Sequence, residues 1–407
     1  MKKWLNCIVL WGTLCLSLDA AVIQVPSMSR TDMVNSLASA AHGDTLVFPA
    51  GTANYSSPVA VSKAVTMRFV PGQSIITNVS GGENTYILTV NTARTNDPIR
   101  ITGLTAHGRG TSSGIYVGAN QRNVRIDHCN FSNMRIHAIY YQGFESYGVV
   151  DHCSFTNHHT AIEISGAYGG NSWNFALTPF GLGTTNCVTV ENCYFENNNA
   201  TLVADLNNVI YTSYGGRADF RQNEIQGKAT TQSTVYWDSH GNNSQQPWSD
   251  TSLRGTVFAV NSSNIINCPT SYRHFYLRGG CQVLVGNTIT GAPNAAKIVL
   301  TEEEGWYTDA GYTIVTKYPA DDQITNSWIV GNTYNGLPIT ADQIRDDMQN
   351  PLTDRFFIQE GRDFWVTNQM PPASIYTPLI YPHPRVTADD AGVKPAPPAN
   401  LRFATGN

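Results

Sequence analysis

Short stretches of alternating apolar and polar residues recur along this chain with the same local pattern. The clearest copies are residues 124–133, 150–157 and 188–197, in which a Cys and then a Phe follow the alternating positions. Looser copies, most of them with Asn in place of Cys, cover residues 99–104, 220–225, 262–265, 285–289 and 330–334. Alternation is the pattern of a strand, so each copy predicts a short strand, a turn and a second short strand.

The spacing of the copies matches the coils of a solenoid. Cys129 and Cys153 are 24 positions apart, and Asn264 and Asn287 are 23 apart. One such unit cannot bury its apolar face alone, so successive units stack. We therefore predict an all-β fold, a single-stranded right-handed parallel β-helix in which the Cys and Asn side chains form ladders. Buried thiols are favoured over a disulfide between Cys129 and Cys153, because side chains stacked in parallel point poorly for bonding.

The two ends of the repeat region carry different patterns. Residues 29–41 begin with polar residues and continue with apolar residues at helical spacing, which predicts a helix that caps the first coil. The residues after the last copy predict an irregular C-terminal cap and a Pro-rich tail. We divide the chain into a signal peptide at 1–20, the β-helix at 21–335, the capping segment at 336–385 and the tail at 386–407.

The N-terminus has the pattern of a secretory signal peptide. Lys2 and Lys3 precede an apolar stretch at residues 4–18, and small residues follow it. This stretch is short for a membrane span, and no later stretch is apolar enough to cross a bilayer. We therefore predict a secreted protein, either extracellular or periplasmic.

Composition narrows the partners of the protein. The formal net charge is −5, and charged residues make up 14% of the 407-residue chain. This balance argues against nucleic acid as a partner, because nucleic-acid binding requires a basic surface. We expect one long domain, a monomer, whose ligand is neutral or has its charge met by local cations.

One face of the predicted stack concentrates polar side chains. In the second strand of each coil we assign one apolar residue to the interior, and alternation then sends its neighbours outward. The inward residues are Ile139, Ile162, Leu202, Trp237, Phe275 and Ile298. The outward residues are Tyr140, Gln142, Glu163, Asp205, Tyr236, Asp238, His240, Tyr276, Arg278 and Lys297. A solvated polar face is the structural alternative, but the mixture of acids, cations and tyrosines favours a ligand site.

Three carboxylates on this face predict a cation site. Successive coils lie about 4.8 Å apart, so Glu163, Asp205 and Asp238 would be close enough to share one Ca²⁺ ion. The tyrosines of the same face have flat rings that suit sugar rings. Together these features predict a polysaccharide as the ligand.

A second group of acids lies beside the repeated Cys position. Asp127 and Asp151 occupy equivalent positions in neighbouring copies, and Glu191 follows in the next. Carboxylates one coil apart would approach the separation of a retaining glycosidase, and two coils apart that of an inverting one. The structural alternative is that these acids bond the backbone at the turn.

The coils resemble those of the pectate-lyase-like superfamily of β-helices, and residues 126–131 and 150–155 are similar to its Asp-His-Cys-x-Phe coils. Residues 275–291 resemble a stretch of the chondroitinase B and alginate lyase family, in which an Arg takes part in catalysis. That resemblance implies a catalytic role for Arg278. The family's catalytic Lys has no counterpart, since the nearest cation is Arg254, and its calcium-binding acids are not recognisable.

The resemblance and the polar face favour a polysaccharide lyase that cleaves an acidic, uronate-containing polymer by β-elimination. In that reaction a base removes the proton next to a carboxylate whose charge a cation neutralises. We assign Arg278 to neutralisation or proton transfer, with Tyr276 or His240 as its partner. The predicted substrate-binding residues are Tyr140, Tyr236, Lys297 and Arg254.

Two other functions fit the same fold. A glycoside hydrolase would use Asp205 and Asp238, or Asp127 and Asp151, as acid and base, and it would leave no unsaturated sugar. A non-catalytic carbohydrate-binding or adhesion solenoid would give no product at all. Its binding would not depend on Arg278 and Asp238.

Overall fold

A computed structural model winds the chain into a right-handed parallel β-helix, as the repeats predict. The structure describes residues 20–143, 145–166, 182–197, 207–227, 234–240, 255–268, 273–292, 296–300, 324–346 and 358–386. The predicted signal peptide, apart from Ala20, and the tail beyond residue 386 lie outside these ranges. None of the described helices is long and apolar enough to cross a membrane.

Three faces of parallel strands make up the coils, and each strand pairs in register with its counterparts in neighbouring coils. The strands of the first face are Val22–Gln24, Thr45–Val47, Thr66–Arg68, Ile99–Thr102, Val124–Asp127, Gly148–Asp151, Val188–Glu191, Arg217–Arg221, Phe258–Ser262, Cys281–Val285, Ser327–Val330 and Phe364–Thr367.

The second and third faces are joined where two long strands, Asn130–Gln142 and Ser154–Ser165, run through both. The other strands of the second face are Gly51–Tyr55, Ser74–Asn78, Thr105–His107, Tyr194–Asn197, Glu224–Gly227, Ile265–Cys268, Thr288–Gly291 and Thr333–Tyr334, and Leu337–Pro338 pairs antiparallel with the last. The other strands of the third face are Val59–Val61, Leu88–Val90, Ile115–Val117, Asn207–Ser213, Thr234–Ser239, Arg273–Leu277, Ala296–Leu300 and Ile344–Asp346.

The interior is filled by side chains that stack from coil to coil. Phe131, Phe155 and Phe195 lie one above another, with ring centroids 5.2 and 4.7 Å apart. On the third face the inward column runs through Ile139, Ile162, Ile210, Trp237, Phe275 and Ile298. Ile210 takes the place expected for Leu202, because the strand of that coil begins at Asn207.

The predicted Cys and Asn positions form an inner ladder at the turn between the first and second faces. Its amides are Asn223, Asn264, Asn287 and Asn332, and each side-chain oxygen accepts a bond from the backbone N–H of the preceding rung at 2.8 to 3.0 Å. The rung before Asn223 is Cys193, and all six described cysteines are unbonded, buried thiols. This outcome agrees with stacked thiols rather than a disulfide.

The N-terminal cap is the helix Arg30–Ser39, which lies within the predicted range. The Ser29 side chain accepts a bond from the backbone N–H of Asp32 at 3.1 Å and so caps the helix. Met33 and Leu37 are buried against the first coils. The helix therefore closes an otherwise open end of the stack.

The C-terminal end continues the stack further than its repeats indicate. Strands Ile344–Asp346 and Phe364–Thr367 extend the third and first faces beyond residue 335. A short 3-10 turn, Ala341–Gln343, precedes the first of them. Residues 375–386 then run back along the outer surface of the first face, which makes this segment the irregular cap.

Candidate functional site

The outer side of the third face carries a row of polar and aromatic side chains in strict register. We call this the third-face row, and its members in successive coils are Tyr116, Tyr140, Glu163, Tyr211, Asp238 and Tyr276. Neighbours in the row are one coil apart, about 4.8 Å. The row therefore includes four of the predicted outward residues in the order expected.

Tyr211 is a member of the row that the sequence did not predict. It occupies the position between Glu163 and Asp238 that was assigned to Asp205. Asp205 lies outside the described residues. The signal was present in the alternation of residues 209–212, which matches the neighbouring strands, but the inserted residues of this coil shifted the assignment.

The cationic end of the row is built around Tyr276. The Arg278 guanidinium donates three hydrogen bonds of 2.8 to 3.1 Å to the two carboxylate oxygens of Asp238. Arg278 and Arg273 also lie over the Tyr276 ring, with their guanidinium carbons 4.6 and 4.0 Å from the ring centroid. Two guanidinium groups thus flank one tyrosine and share one nearby carboxylate.

This end of the row is much more buried than an open polar face would be. Relative exposure is 2% for Asp238, 2% for Tyr276 and 7% for Arg278. Burial raises the pKa of the Asp238 carboxyl, while Arg278 and then Arg273 act against that shift. The expectation of freely exposed side chains is wrong for these three residues, since mutual pairing of charges permits their burial.

His240 and Tyr211 lie beside the cationic end. Their rings meet edge to face with centroids 5.5 Å apart, and both side chains are partly exposed. The backbone N–H of Arg278 donates to the Ser239 carbonyl at 2.9 Å, so Arg278 lies opposite His240 in the next coil. Burial, and then the Asp238 and Glu163 carboxylates, raise the pKa of Tyr211, so its hydroxyl keeps its proton at neutral pH.

The opposite end of the row combines aromatic rings with one acid. Glu163 bonds the Nε2 atom of His137 at 2.5 Å, and Nδ1 of the same ring lies 3.4 Å from the Tyr86 hydroxyl. The His137 ring stacks on Tyr140, with centroids 4.5 Å apart. Tyr116 lies next to Tyr140 and Tyr86, at 5.9 and 5.3 Å between ring centroids.

Tyr236 does not belong to this surface, and its assignment as an outward, substrate-binding residue is wrong. It is 5% exposed and belongs to the hydrophobic core. Its ring stacks on His274 with centroids 5.6 Å apart, near Cys268. Tyr236 lies at the corner where the chain enters the third face, and strict alternation does not extend through such a corner. The Lys297 side chain and all of Arg254 lie outside the described residues.

Glu163 and Asp238 do not form the cation site that the sequence predicts. Tyr211 separates them, so they are two coils apart, about 10 Å. Each carboxylate is already paired, with His137 and Arg278 respectively. Within the described ranges no group of three or more His, Cys, Asp and Glu side chains is arranged to hold a metal ion. A Ca²⁺ site that includes Asp205 stays a prediction.

The second group of acids has a structural role on the first face. Arg100 binds both oxygens of Asp127 at 2.7 Å, and Arg125 binds Asp151 at 2.8 and 2.9 Å. Arg221 binds Glu191 at 2.9 Å. All three carboxylates are fully buried.

The C-terminal segment covers this group of acids. The backbone N–H of His383 donates to Glu191 at 2.9 Å, and Arg221 donates to the carbonyls of Leu379 and Ile380. Asp127 and Asp151 are therefore not available as the acid and base of a hydrolase.

No protein-family model and no curated protein matches this sequence. Among solved structures, it is similar to an alginate lyase from Paenibacillus sp. str. FPU-7, with 13% identity and a TM-score of 0.49, over 81% of this chain and 98% of that one. A PL6 family polysaccharide lyase from Pseudopedobacter saltans shows 11% identity and a TM-score of 0.44, over 92% and 99%. A surface adhesin of Streptococcus pneumoniae shows 14% identity and a TM-score of 0.44, over 75% and 81%. These similarities concern the fold alone.

Proposed function

We propose that the protein is a polysaccharide lyase that cleaves an acidic, uronate-containing polymer by β-elimination. The observation that supports this most is the grouping of Arg273, Tyr276 and Arg278 around Asp238, with Tyr211 and His240 beside it. Among the described residues around Tyr276 there are two guanidinium groups and one carboxylate. That balance favours a single negatively charged group of a ligand.

The role of Arg278 is electrostatic in this proposal. A guanidinium with a pKa above about 12 is a poor base, and the bidentate bond to Asp238 fixes its orientation. A substrate carboxylate bound beside Arg278 has its charge neutralised, which makes loss of the neighbouring proton less costly. Tyr276 holds the two guanidinium groups in place and is not exposed enough to reach the substrate itself.

Proton transfer is assigned to His240 and Tyr211. The His240 imidazole takes the proton from the carbon next to the carboxylate, and the electron pair forms a carbon–carbon double bond. The bond to the glycosidic oxygen breaks, and the Tyr211 hydroxyl gives its proton to that oxygen. The raised pKa of Tyr211 suits it to the role of acid. A lyase on a long polymer also fits a secreted protein, as the N-terminus predicts.

The test is incubation of the purified protein with alginate, pectate, dermatan and neutral glycans, in calcium and in chelator. Unsaturated sugar ends are followed by ultraviolet absorbance, and new reducing ends in parallel. A rise in both signals supports the lyase, and it should be lost in Arg278→Ala. The matched control is Arg94→Ala, an exposed arginine whose ion pair is with Asp97.

The other two functions give different results in the same assay. Reducing ends without absorbance would identify a hydrolase and overturn the lyase proposal. Binding to a polymer without any product, unchanged in Arg278→Ala, would identify a binding solenoid.

A further inference from the structure

The third-face row has opposite electrostatic character at its two ends. Around Tyr276 there are two guanidinium groups and one carboxylate. Three coils away lies Glu163, whose only ion-pair partner among the described residues is His137. That end carries one negative charge when His137 is neutral and no net charge when His137 is protonated. In neither state is it positive.

We infer that the end of the row formed by Tyr86, Tyr116, Tyr140, His137 and Glu163 binds an uncharged sugar, so that the substrate is a mixed polymer and not a pure polyuronate. This inference rests on the proposed function and specifies its substrate class. The row then takes a uronate at Arg278 and a sugar without a carboxylate about three coils away.

The charge of Glu163 argues against a uronate at this end. A second carboxylate one coil away, at about 5 Å, is repelled strongly at a partly buried site. The Glu163 side chain is 13% exposed, so solvent screens the repulsion poorly. No arginine or lysine joins Glu163 among the described residues to offset it. A uronate here would therefore lose affinity.

The chemistry of the other side chains favours a neutral sugar at this end. Tyr116 is partly exposed, and the Tyr86 and Tyr140 rings border it at 5.3 and 5.9 Å. Aromatic rings pack on the apolar faces of sugar rings, and Glu163 can accept bonds from sugar hydroxyls or an N-acetyl N–H. Burial and then the Glu163 carboxylate raise the pKa of Tyr140, so its hydroxyl remains a donor.

The length of the row agrees with an extended ligand that spans both ends. Glu163 and Tyr276 are separated by three coil spacings, about 14 Å. A sugar residue of an extended polysaccharide is similar in length to one coil. The uronate and the neutral sugar would thus be several residues apart on one chain, which an alternating polymer provides.

The experiment compares unsulfated chondroitin, in which uronate alternates with an uncharged sugar, with polygalacturonate and polymannuronate. Binding of oligosaccharides by calorimetry and cleavage by absorbance are both measured. The wild-type protein should favour the mixed polymer. Glu163→Gln keeps the bond to His137 and removes the charge, so it should raise affinity for the pure polyuronates about tenfold. Glu83→Gln, which removes an exposed acid paired with Arg135, is the control.

Tyr116→Leu is a second variant at an exposed position, and it should weaken only the mixed polymer. If the protein cleaves the pure polyuronates best and Glu163→Gln changes nothing, the inference is overturned while the lyase proposal stands. If the mixed polymer binds in the expected order but no polymer is cleaved, the inference stands and the lyase proposal fails. Absence of binding to every polymer overturns both.

Discussion

The guanidinium carbon of Arg273 lies 4.0 Å from the centre of the Tyr276 ring, three residues further along the strand. The same arrangement occurs four coils away, where His137 stacks on Tyr140 at 4.5 Å. In both places a residue at the corner before the third face covers a tyrosine of the third-face row. The structure thus repeats one packing device with two different charges, which gives the two ends of the row their different character.

Removal of Arg278 should affect both stability and activity. Arg278→Ala leaves the buried Asp238 carboxylate without its bidentate partner, so we expect a loss of about 3 kcal/mol in the free energy of unfolding at neutral pH. Chemical denaturation measures this change. Asp238→Asn in the Arg278→Ala background should recover part of the loss, because the unpaired charge is gone. If the double variant is less stable than Arg278→Ala, burial of the charge is not the cause.

Loss of the Tyr211 hydroxyl should lower turnover without unfolding the protein. Tyr211→Phe keeps the ring beside His240 and removes only the proper proton donor, so kcat should fall about 10²-fold on any polymer that is cleaved. Thermal unfolding should be unchanged. Tyr147→Phe, at a tyrosine that bonds Arg217 on the first face, is the control. Equal turnover of the two variants would contradict the role of Tyr211.

The Asn ladder should tolerate no charge. Asn264 accepts from Asn223 and donates to the Phe220 carbonyl and to Asn287, at 2.9 to 3.1 Å. Asn264→Ala leaves these groups unpaired and should cost about 3 kcal/mol. Asn264→Asp should cost more at pH 7, since a carboxylate would face two oxygen atoms. The same two substitutions at exposed Asn267, in the next strand, should cost little.

Acid should weaken the attachment of the C-terminal segment. Burial, and then Arg385, Arg221 and Arg125, lower the pKa of His383 to about 3. Because this pKa lies below the value of about 6.5 in an unfolded chain, the stabilisation is fully present above pH 6.5 and is lost as the pH falls towards 3. Hydrogen exchange of residues 375–386 should therefore be faster at pH 4.5 than at pH 7, after correction for intrinsic rates.

His383→Gln supplies the control for that measurement, because glutamine does not titrate. The difference in protection between the two pH values should be smaller in this variant. Equal differences in the variant and the wild-type protein would show that another group controls the attachment.

The repeats predict the fold because each coil repeats the same local requirement. An inward Cys or Asn, followed by an apolar residue, marks the turn between the first and second faces in coil after coil. The position of Cys129 and Cys153, and the ladder from Asn223 onward, follow directly from that pattern. Alternation also predicts Tyr140, Glu163, Asp238 and Tyr276 as one row.

The rest could not be predicted because it depends on corners and on distant contacts. Inserted residues hid the start of the strand at Asn207, which replaced Asp205 by Tyr211 in the row. A corner turned Tyr236 into the core. The burial of Glu191 depends partly on His383, which lies 192 positions away, and no local pattern records such a contact.

The inner ladder changes its chemistry between Cys193 and Asn223, and this change divides the solenoid into two mechanically different parts. Rungs from Asn223 onward are tied to one another by side-chain amides, whereas the Sγ atoms of Cys129 and Cys153 only contact backbone carbonyls. In a stack whose stability is a sum over neighbouring coils, such a change is a natural boundary for partial unfolding. Under force or denaturant the thiol part should peel away first, with the amide part persisting as an intact shorter solenoid.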